Sequence, residues 1–372
     1  MKVFFWLERW FVEEKNLGKY LKTLLKAVFY YSGIYRMLIY FHRDRIPVLM
    51  IHGVLDESQE VMWTPGWRRL SSRQLENGLN VLRRYFVFVT IDEVSKLVRG
   101  KQVPDRPVIA LTFDDGYQNS ISDAFPVLER FNVPGMVYLS TSHVLEQIPM
   151  WIDRLDYLLQ QQGKKVVKIK IASLRFEIKT EPREAYLNDF RRFRLAVKSE
   201  FSDDLILIHN LEKLMGRLEA TALSKLESIY NVDKVAKILE GDEIRNASSL
   251  LTFGSHTVNH LRVDRLRKEQ LVFEIRESRK QIEALTSSSC THFCYPNGNF
   301  CPDAQQALRL AGYETAVTVE NGANKIGDSE PLALRRFSFP NASREAEIVH
   351  DIVVNLLTAK SLEDQGADTA QR

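Results

Sequence analysis

Residues 108–116 read VIALTFDDG, a mostly apolar run that ends in two carboxylates and a glycine. A run without polar alternation is typical of a strand that is covered on both faces, as in a parallel sheet. Asp114 and Asp115 follow the carboxyl end of this predicted strand, where α/β folds place their chemistry. An ordinary acidic turn is the alternative, because Asp-Asp-Gly also suits turns.

On both sides of this segment, short apolar runs alternate with amphipathic stretches. Further strands are predicted at 47–51, 85–90, 135–140, 250–254, 291–295, 313–319 and 334–339. Helical spacing of apolar residues predicts helices at 71–84, 119–131, 268–285 and 345–357. Strand and helix in alternation predict a parallel α/β architecture.

Residues 146–249 break this alternation and are predicted to form an insertion subdomain. They contain a helical stretch at 151–161, a hairpin pattern at 166–179 and several charged helices. We expect the insertion to lie beside the catalytic mouth, where Trp151, Asp153 and Arg154 could contact a substrate. Alternatively, Trp151 anchors a core while Asp153 and Arg154 form a surface pair.

Residues 1–45 form a basic, aromatic and amphipathic segment, with lysines at helical spacing at 15, 19, 22 and 26. Glu8 and Arg9 interrupt its first apolar run, which is unlike a signal peptide. The apolar part at 27–41 is shorter than the ~20 residues of a membrane span. We therefore expect a cytoplasmic protein that touches the inner membrane face through this segment, or a segment that packs on the domain or a partner.

The overall composition excludes several classes of protein. Hydrophobic residues make up 45% of the 372 residues, which indicates a globular protein. A net charge of +3 is too balanced for a dedicated nucleic-acid binder. The C-terminal part, 346–372, is predicted to be a helix followed by a disordered tail. The oligomeric state is not predicted.

A second motif, SHTVNH at 255–260, follows the predicted strand 250–254. His256 and His260 are separated by four residues, which would put both imidazoles on one side of a helical turn, a spacing suited to a transition metal. Two exposed histidines at a helix start are the alternative. A carboxylate ligand must come from elsewhere, and the Asp114–Asp115 pair can supply it.

These two motifs and FCYPNG at 293–298 resemble, in order, the motifs of the polysaccharide deacetylases, the NodB-homology domain of carbohydrate esterase family 4. The resemblance covers 46–145 and 250–345, and implies an irregular (β/α) barrel with 146–249 as a long α+β insertion. It also implies that Asp114 is the catalytic base. Asp115, His256 and His260 would hold one divalent metal, with Zn the first choice and Co, Ni or Mn the alternatives.

A further resemblance concerns LMIHGV at 49–54, which is similar to a segment of the poly-N-acetylglucosamine deacetylase branch. That likeness implies that His52 is the general acid; a satisfied core histidine is the alternative. The wider family uses a C-terminal Leu-x-His, which this sequence lacks. His350, in a predicted amphipathic helix, is expected at the surface.

The third motif departs from the family pattern, because Cys294 stands where the family has an arginine that holds the base. We expect Arg336 to supply that charge, since Arg335 would point to the opposite face of its strand. The residues after Cys294, namely Tyr295, Pro296 and Asn297, are expected at the substrate. A backbone N–H near Asn297 could serve as an oxyanion donor.

Together these features predict metal-dependent hydrolysis of the N-acetyl amide of an amino sugar, in a polysaccharide or glycoconjugate precursor, with release of acetate. An amidase or deformylase acting on a lipid-linked or nucleotide-linked sugar is the first alternative. A non-catalytic carbohydrate-binding relic is the second. A glycoside hydrolase is disfavoured, because adjacent carboxylates cannot readily straddle a bond at separations of ~5–9 Å.

Overall fold

The computed structural model describes residues 18–56, 63–66, 69–227 and 234–358. The predictions for residues 1–17 and for the C-terminal tail from 359 onward lie outside the described residues.

The centre of the molecule is a curled sheet of eight strands. Their order is β12 (Thr315–Val317), β11 (His292–Cys294), β10 (Leu251–Ser255), β7 (Gly135–Leu139), β6 (Val108–Phe113), β2 (Val48–Ile51) and β14 (Phe337–Ser338), with β5 (Val87–Phe88) also beside β6. All neighbouring strands in it pair in parallel. A parallel bridge between Val317 and Leu334 connects the end of β12 to the segment that leads into β14. The sheet therefore curls into an incomplete barrel, and the predicted (β/α) class is confirmed.

The strands of the central sheet are short, and most are shorter than predicted. They are β2 Val48–Ile51, β5 Val87–Phe88, β6 Val108–Phe113, β7 Gly135–Leu139, β10 Leu251–Ser255, β11 His292–Cys294, β12 Thr315–Val317 and β14 Phe337–Ser338. Two-residue pairs flank the sheet, namely β1 Arg45–Ile46 with β13 Asn324–Lys325 and β3 Val54–Leu55 with β4 Leu70–Ser71.

Helices cover the outside of the curled sheet, four of them at the predicted positions and three, at 91–99, 141–146 and 302–310, without a prediction. They are Ser72–Leu82, Ile91–Arg99, Phe125–Phe131, Thr141–Glu146, Lys268–Thr286, Pro302–Leu310 and Glu345–Leu357. The first two begin with complete capping boxes, at Ser71 and Thr90, which satisfy amides that have no partner within the helix. The predicted helix 119–131 differs, because it starts as a π-helix over Ser120–Ala124.

The central strand β6 explains how the core positions the site. All six of its residues are buried. Ile109, Leu111 and Phe113 pack in the main core with the outer helices, whereas Ala110 packs with residues of neighbouring strands. Because side chains alternate along a strand, Thr112 points with Ala110 into the curl of the sheet. Residues just after β6 therefore emerge at the mouth of the barrel.

The segment predicted as an insertion has a hydrophobic core of its own. Its predicted hairpin is formed by β8 Val166–Ile171 and β9 Leu174–Lys179, which pair antiparallel with Ile171 opposite Leu174. Helices Trp151–Gln160, Arg183–Glu200 and Asp204–Glu219 pack with it around Phe190, Phe193 and Leu211. Short helix Gly241–Arg245 leads back to the sheet. An antiparallel bridge from Ile238 to Tyr117 ties this segment to the loop after Asp115.

Asp153 and Arg154 do not form the expected surface pair, and both are buried. Asp153 accepts a hydrogen bond of 2.6 Å from the Tyr117 hydroxyl. Arg154 pairs with Glu212 on the adjacent helix. Asp153 therefore joins the insertion to the loop after β6, and Arg154 joins two helices within the insertion, because a buried charge needs a partner.

The N-terminal helices Lys19–Tyr31 and Ile34–Phe41 pack on the C-terminal helix Glu345–Leu357. Tyr35 is fully buried there, and its hydroxyl lies 2.9 Å from Nδ1 of His350. The expectation of a surface position for His350 was wrong, because the N-terminal helices cover it. Among the described residues, no helix combines the length and apolar character that crossing a membrane requires.

Candidate active site

Loops that follow the carboxyl ends of β2, β6, β10 and β11 meet at a cleft of about 190 Å³ at the barrel mouth. Parallel strands bring their carboxyl ends to one edge, which is why motifs far apart in sequence converge. Eight of the ten site residues predicted from the sequence line this cleft; they are His52, Asp114, Asp115, Trp151, His256, His260, Tyr295 and Asn297.

Asp114 is held from inside the barrel by Arg336. The two guanidinium amino groups donate hydrogen bonds of 2.7 and 2.8 Å to the two carboxylate oxygens. Burial alone would raise the pKa of Asp114, but the positive charge of Arg336 outweighs it and holds that pKa below its usual value. The carboxylate is therefore kept ionised and in a fixed orientation.

The third motif has Cys294 where the family pattern has an arginine, and Arg336 lies beside this cysteine. Its Sγ lies 3.1 Å from an amino group of the buried Arg336. The same guanidinium donates to Thr112 Oγ1 at 2.9 Å and, through Nε, to the carbonyl of Thr318 at 2.8 Å. An arginine from the segment before β14 thus fills the space beside the small Cys294 side chain. Arg335 points away and pairs with Glu320.

Asp115 lies between the two histidines of the second motif. Its Oδ1 is 3.4 Å from Nε2 of His256 and 3.3 Å from Nε2 of His260. Nδ1 of His256 lies 2.7 Å from the Cys294 carbonyl oxygen, which can only accept, so Nδ1 carries the proton. In the neutral ring the lone pair of Nε2 then faces the Asp115 carboxylate, which is the arrangement that a metal ion bound between them would use.

The donor set of Asp115, His256 and His260 fits a divalent metal. Two nitrogens and one oxygen are the ligands that zinc uses in catalytic sites, with positions left for water and substrate. Bonds of ~2.0–2.1 Å in tetrahedral geometry separate neighbouring ligand atoms by about 3.3–3.4 Å. The separations from Asp115 to the two histidines equal that value.

The histidine pair reaches this geometry in a loop and not in a helical turn, contrary to the sequence expectation. Residues 256–262 have no helical structure, and Thr257 and His260 have φ values of 66° and 54°. Asp115 and Asn297 also have positive φ, at 76° and 57°. Such conformations cost of order 1–3 kcal/mol each and are typical of functional sites, where the surroundings impose them.

Glu274 holds the histidine loop in place. From helix Lys268–Thr286 its carboxylate accepts hydrogen bonds from the backbone N–H groups of Val258 and Asn259, at 2.8 and 2.9 Å, and from the Asn259 side chain at 2.7 Å. It is 2% exposed. Sequence reasoning missed it, because one glutamate on a charged helix carries no signal of its contacts.

Comparison with known proteins agrees with this geometry. The family model of polysaccharide deacetylase matches residues 101–177 and 241–316. These two segments match a polysaccharide deacetylase domain. The match includes the loops of Asp114, Asp115, His256 and His260 and leaves out 178–240, which lies within the predicted insertion.

Relatives of the deacetylase domain are distant. A Bacillus subtilis (strain 168) protein, named provisionally as polysaccharide deacetylase YxkH, is 18% identical over 280 residues, which are 75% of this chain and 66% of that protein. IcaB from Ammonifex degensii has a similar fold, with a TM-score of 0.51, 17% identity, and coverage of 84% of this chain and 97% of that one. BC0361, a polysaccharide deacetylase from Bacillus cereus, has a TM-score of 0.50 and 15% identity over 83% and 69% of the two chains.

The other predicted residues of the deacetylase domain take different positions around the cleft. His52 follows β2 and lies at the border of the cleft and a larger cavity of about 960 Å³. Tyr295 is buried, and its hydroxyl donates to the Leu332 carbonyl at 2.8 Å. Pro296 is buried behind the cleft, without lining it. Trp151 is 8% exposed, so it is both a core residue and part of the cleft wall.

Two cationic side chains of the deacetylase cleft, Arg194 and Lys198, were not predicted. They project from helix Arg183–Glu200 of the insertion into the cleft. Lys198 donates a hydrogen bond to the side-chain oxygen of Asn297. Cations four residues apart in a basic helix are also typical of a solvated face. The sequence therefore could not show that these two side chains line a cleft.

Proposed function

We propose that this protein is a metal-dependent N-deacetylase of an amino sugar within a polysaccharide or glycoconjugate precursor, and that it releases acetate. One observation carries the proposal: Asp114, fixed by Arg336, lies in the same cleft as the cluster of Asp115, His256 and His260. Metal-dependent amide hydrolysis requires an ionised base close to the residues that bind the metal.

Asp115, His256 and His260 would hold the metal, with Zn the first choice and Co, Ni or Mn the alternatives. When bound, it would supply Lewis acidity toward the acyl carbonyl and toward water. The Cys294 carbonyl fixes the ring of His256, and Glu274 fixes the loop of His260. These outer contacts would keep the ligands in position before the metal arrives.

Asp114 is assigned the role of general base, which takes the proton of the attacking water. Arg336 keeps it ionised without competing for its role, since a guanidinium does not give up its proton. His52, across the cleft, is assigned the role of general acid toward the departing sugar amine. The backbone N–H near Asn297 is assigned to the developing oxyanion.

The test is release of acetate from N-acetylated amino sugars, oligomeric and conjugated, by the full chain with and without a chelator. We expect acetate release that the chelator abolishes and added Zn restores. Release of formate from N-formyl sugars in place of acetate would support the deformylase alternative. Binding of the sugars without turnover by the metal-loaded protein would support the carbohydrate-binding relic and contradict the proposal.

We also propose that the N-terminal helix contacts a membrane surface. Tyr20, Leu24, Val28 and Tyr31 recur at helical spacing along one face of Lys19–Tyr31, and Tyr20 and Tyr31 are 93% and 84% exposed. Aromatic and aliphatic side chains on one exposed face suit the interfacial zone of a bilayer. Lys22 and Lys26 face the cavity beside His52. The location of the protein in the cytoplasm, at the inner face of a membrane, stays a prediction.

Binding to anionic liposomes tests this contact. We expect the full chain to sediment with vesicles at low salt and Leu24→Glu/Val28→Glu to stay in solution. The matched control is Leu195→Glu/Leu310→Glu, which alters two exposed leucines elsewhere. Equal sedimentation of all three proteins, or no sedimentation of the unaltered chain, would contradict the membrane contact.

A further inference from the structure

We propose that the substrate carries an anionic group, a phosphate or a carboxylate, close to the acylamino sugar, and that Arg194 and Lys198 bind it. The inference rests on the proposed function and specifies its substrate class. It draws on residues outside the family motifs, from a part of the chain that the family model leaves out.

The two cations are placed to meet a substrate. They are one helical turn apart on Arg183–Glu200, and both line the cleft that holds Asp114 and Asp115. Lys198 reaches Asn297, the residue beside the predicted oxyanion position, and its Nζ lies 6.0 Å from the centre of the Trp151 ring. A ligand held by this pair would therefore lie beside the reacting amide.

Neither cation forms an ion pair with a carboxylate among the described residues, whereas Arg154, Arg192 and Arg245 of the same insertion do. The guanidinium of Arg194 lies over the Phe190 ring at 5.4 Å, and its Nε is buried with no acceptor in the described part of the chain. Burial, and then the charges of Arg194 and Arg262, lower the pKa of Lys198 to about 8. Holding two partly buried cations together without an anion is unfavourable.

The nearby carboxylates act on these cations only from a distance, Asp156 on Arg194 and Asp204 on Lys198, and those of the catalytic residues are already neutralised. Arg336 neutralises Asp114, and Asp115 faces two imidazoles in the metal-ligand set. A neutral N-acetylated polymer would offer Arg194 and Lys198 nothing to pair with. A phosphate or carboxylate would satisfy both, through charge-assisted hydrogen bonds. This chemistry is found in a lipid-linked sugar phosphate, in a nucleotide sugar and in a polymer that contains uronic acids.

Binding to His52→Ala, which slows turnover and keeps the Arg336–Asp114 ion pair intact, tests the inference. Calorimetry with Zn-loaded protein would compare N-acetylglucosamine 1-phosphate with N-acetylglucosamine. We expect the phosphorylated sugar to bind at least tenfold more tightly, and Arg194→Met/Lys198→Met to remove that preference. The matched control is Arg191→Met, an exposed cation on the same helix that does not line the cleft. It should keep the preference.

Three further ligands identify the source of the anion: a nucleotide-linked N-acetyl sugar, a polyprenyl-phosphate-linked one in vesicles, and an N-acetylated oligosaccharide with uronic acids. The one that gains most from Arg194 and Lys198 is the substrate class. Equal affinity for charged and neutral sugars would overturn the inference. So would a phosphate preference that survives the double variant, since the metal site would then be its cause.

Kinetics separate this inference from the proposed function. If Arg194→Met/Lys198→Met deacetylates neutral and charged substrates at equally reduced kcat, the cations serve the chemistry and the anion site is refuted while the deacetylase stands. If the charge preference in binding is present but no N-acetyl substrate releases acetate, the anion site stands and the proposed reaction fails.

Discussion

Replacing Arg336 with methionine should damage both the stability and the activity of this protein. The Arg336 side chain is 0% exposed and Asp114 is 3% exposed, so the substitution leaves a buried carboxylate without its counterion. Removing one partner of a buried ion pair costs about 3–5 kcal/mol of unfolding free energy. Methionine fills much of the volume, so the lost charge and hydrogen bonds account for most of this cost.

The activity should fall for a separate reason, namely that Asp114 loses both hydrogen bonds that orient it. Displacement of a reacting group by about 1 Å can reduce a rate 10²-fold, and we expect a loss of kcat of about that size. Urea unfolding measures the stability, and acetate release under saturating substrate and Zn measures kcat. Arg335→Met, which removes the neighbouring arginine that points away, is the control and should keep kcat.

A second substitution makes this test specific. Because Cys294 Sγ contacts the Arg336 guanidinium, Cys294→Arg combined with Arg336→Cys would return an arginine to Asp114 from the position that the family motif uses. We expect this exchange to recover at least tenfold of the lost kcat. The reasoning is refuted if Arg336→Met keeps kcat within threefold and its unfolding free energy is unchanged.

Three further substitutions test other parts of the site and fold. His52→Ala should lower kcat by about 10²–10⁴-fold while the Zn content stays equal to that of the unaltered chain, and an unchanged kcat would refute the general-acid role. Glu274→Gln should weaken Zn affinity by about 10–100-fold, measured by competition with a chelator, because it loosens the histidine loop; Glu277→Gln, one turn further along the same helix, is its control. Burial, and then Lys26, lower the pKa of His350 to about 3, so its contribution to stability is present above the unfolded-state pKa of 6.5 and is lost as the pH falls from 6.5 toward 3. Denaturant titrations should show the unaltered chain losing up to ~5 kcal/mol more than His350→Gln over that interval, and parallel losses would contradict it.

The elements of the sheet could be predicted because their sequence signals are local. The run at 108–113, before Asp114, is apolar at nearly every position. This run and the one before His256 each end at a motif. Strand lengths were overestimated, since hydrogen-bonded pairing stops where the curled sheet diverges. Leu334, for example, forms only a bridge to Val317 outside the named strands.

The parts of the site that could not be predicted depend on contacts between distant segments. His350 looks like a surface residue in its own helix, and only the packing of Tyr35, 315 residues away, buries it. In the sequence of their own helix, Arg194 and Lys198 look like solvated residues. They line the cleft only because the insertion packs beside the loop after β11. Periodicity reports which face of a helix is apolar, and it does not report what covers the other face.

The most direct test of the central claim is acetate release by Asp114→Asn compared with the unaltered chain, with Zn content measured on the same samples. Asparagine keeps the size of the side chain and removes its ability to take a proton, while Asp115, His256 and His260 remain in place. We expect equal Zn content in the two proteins and a loss of acetate release to below about 1%. Unchanged turnover by a fully loaded Asp114→Asn protein would contradict it.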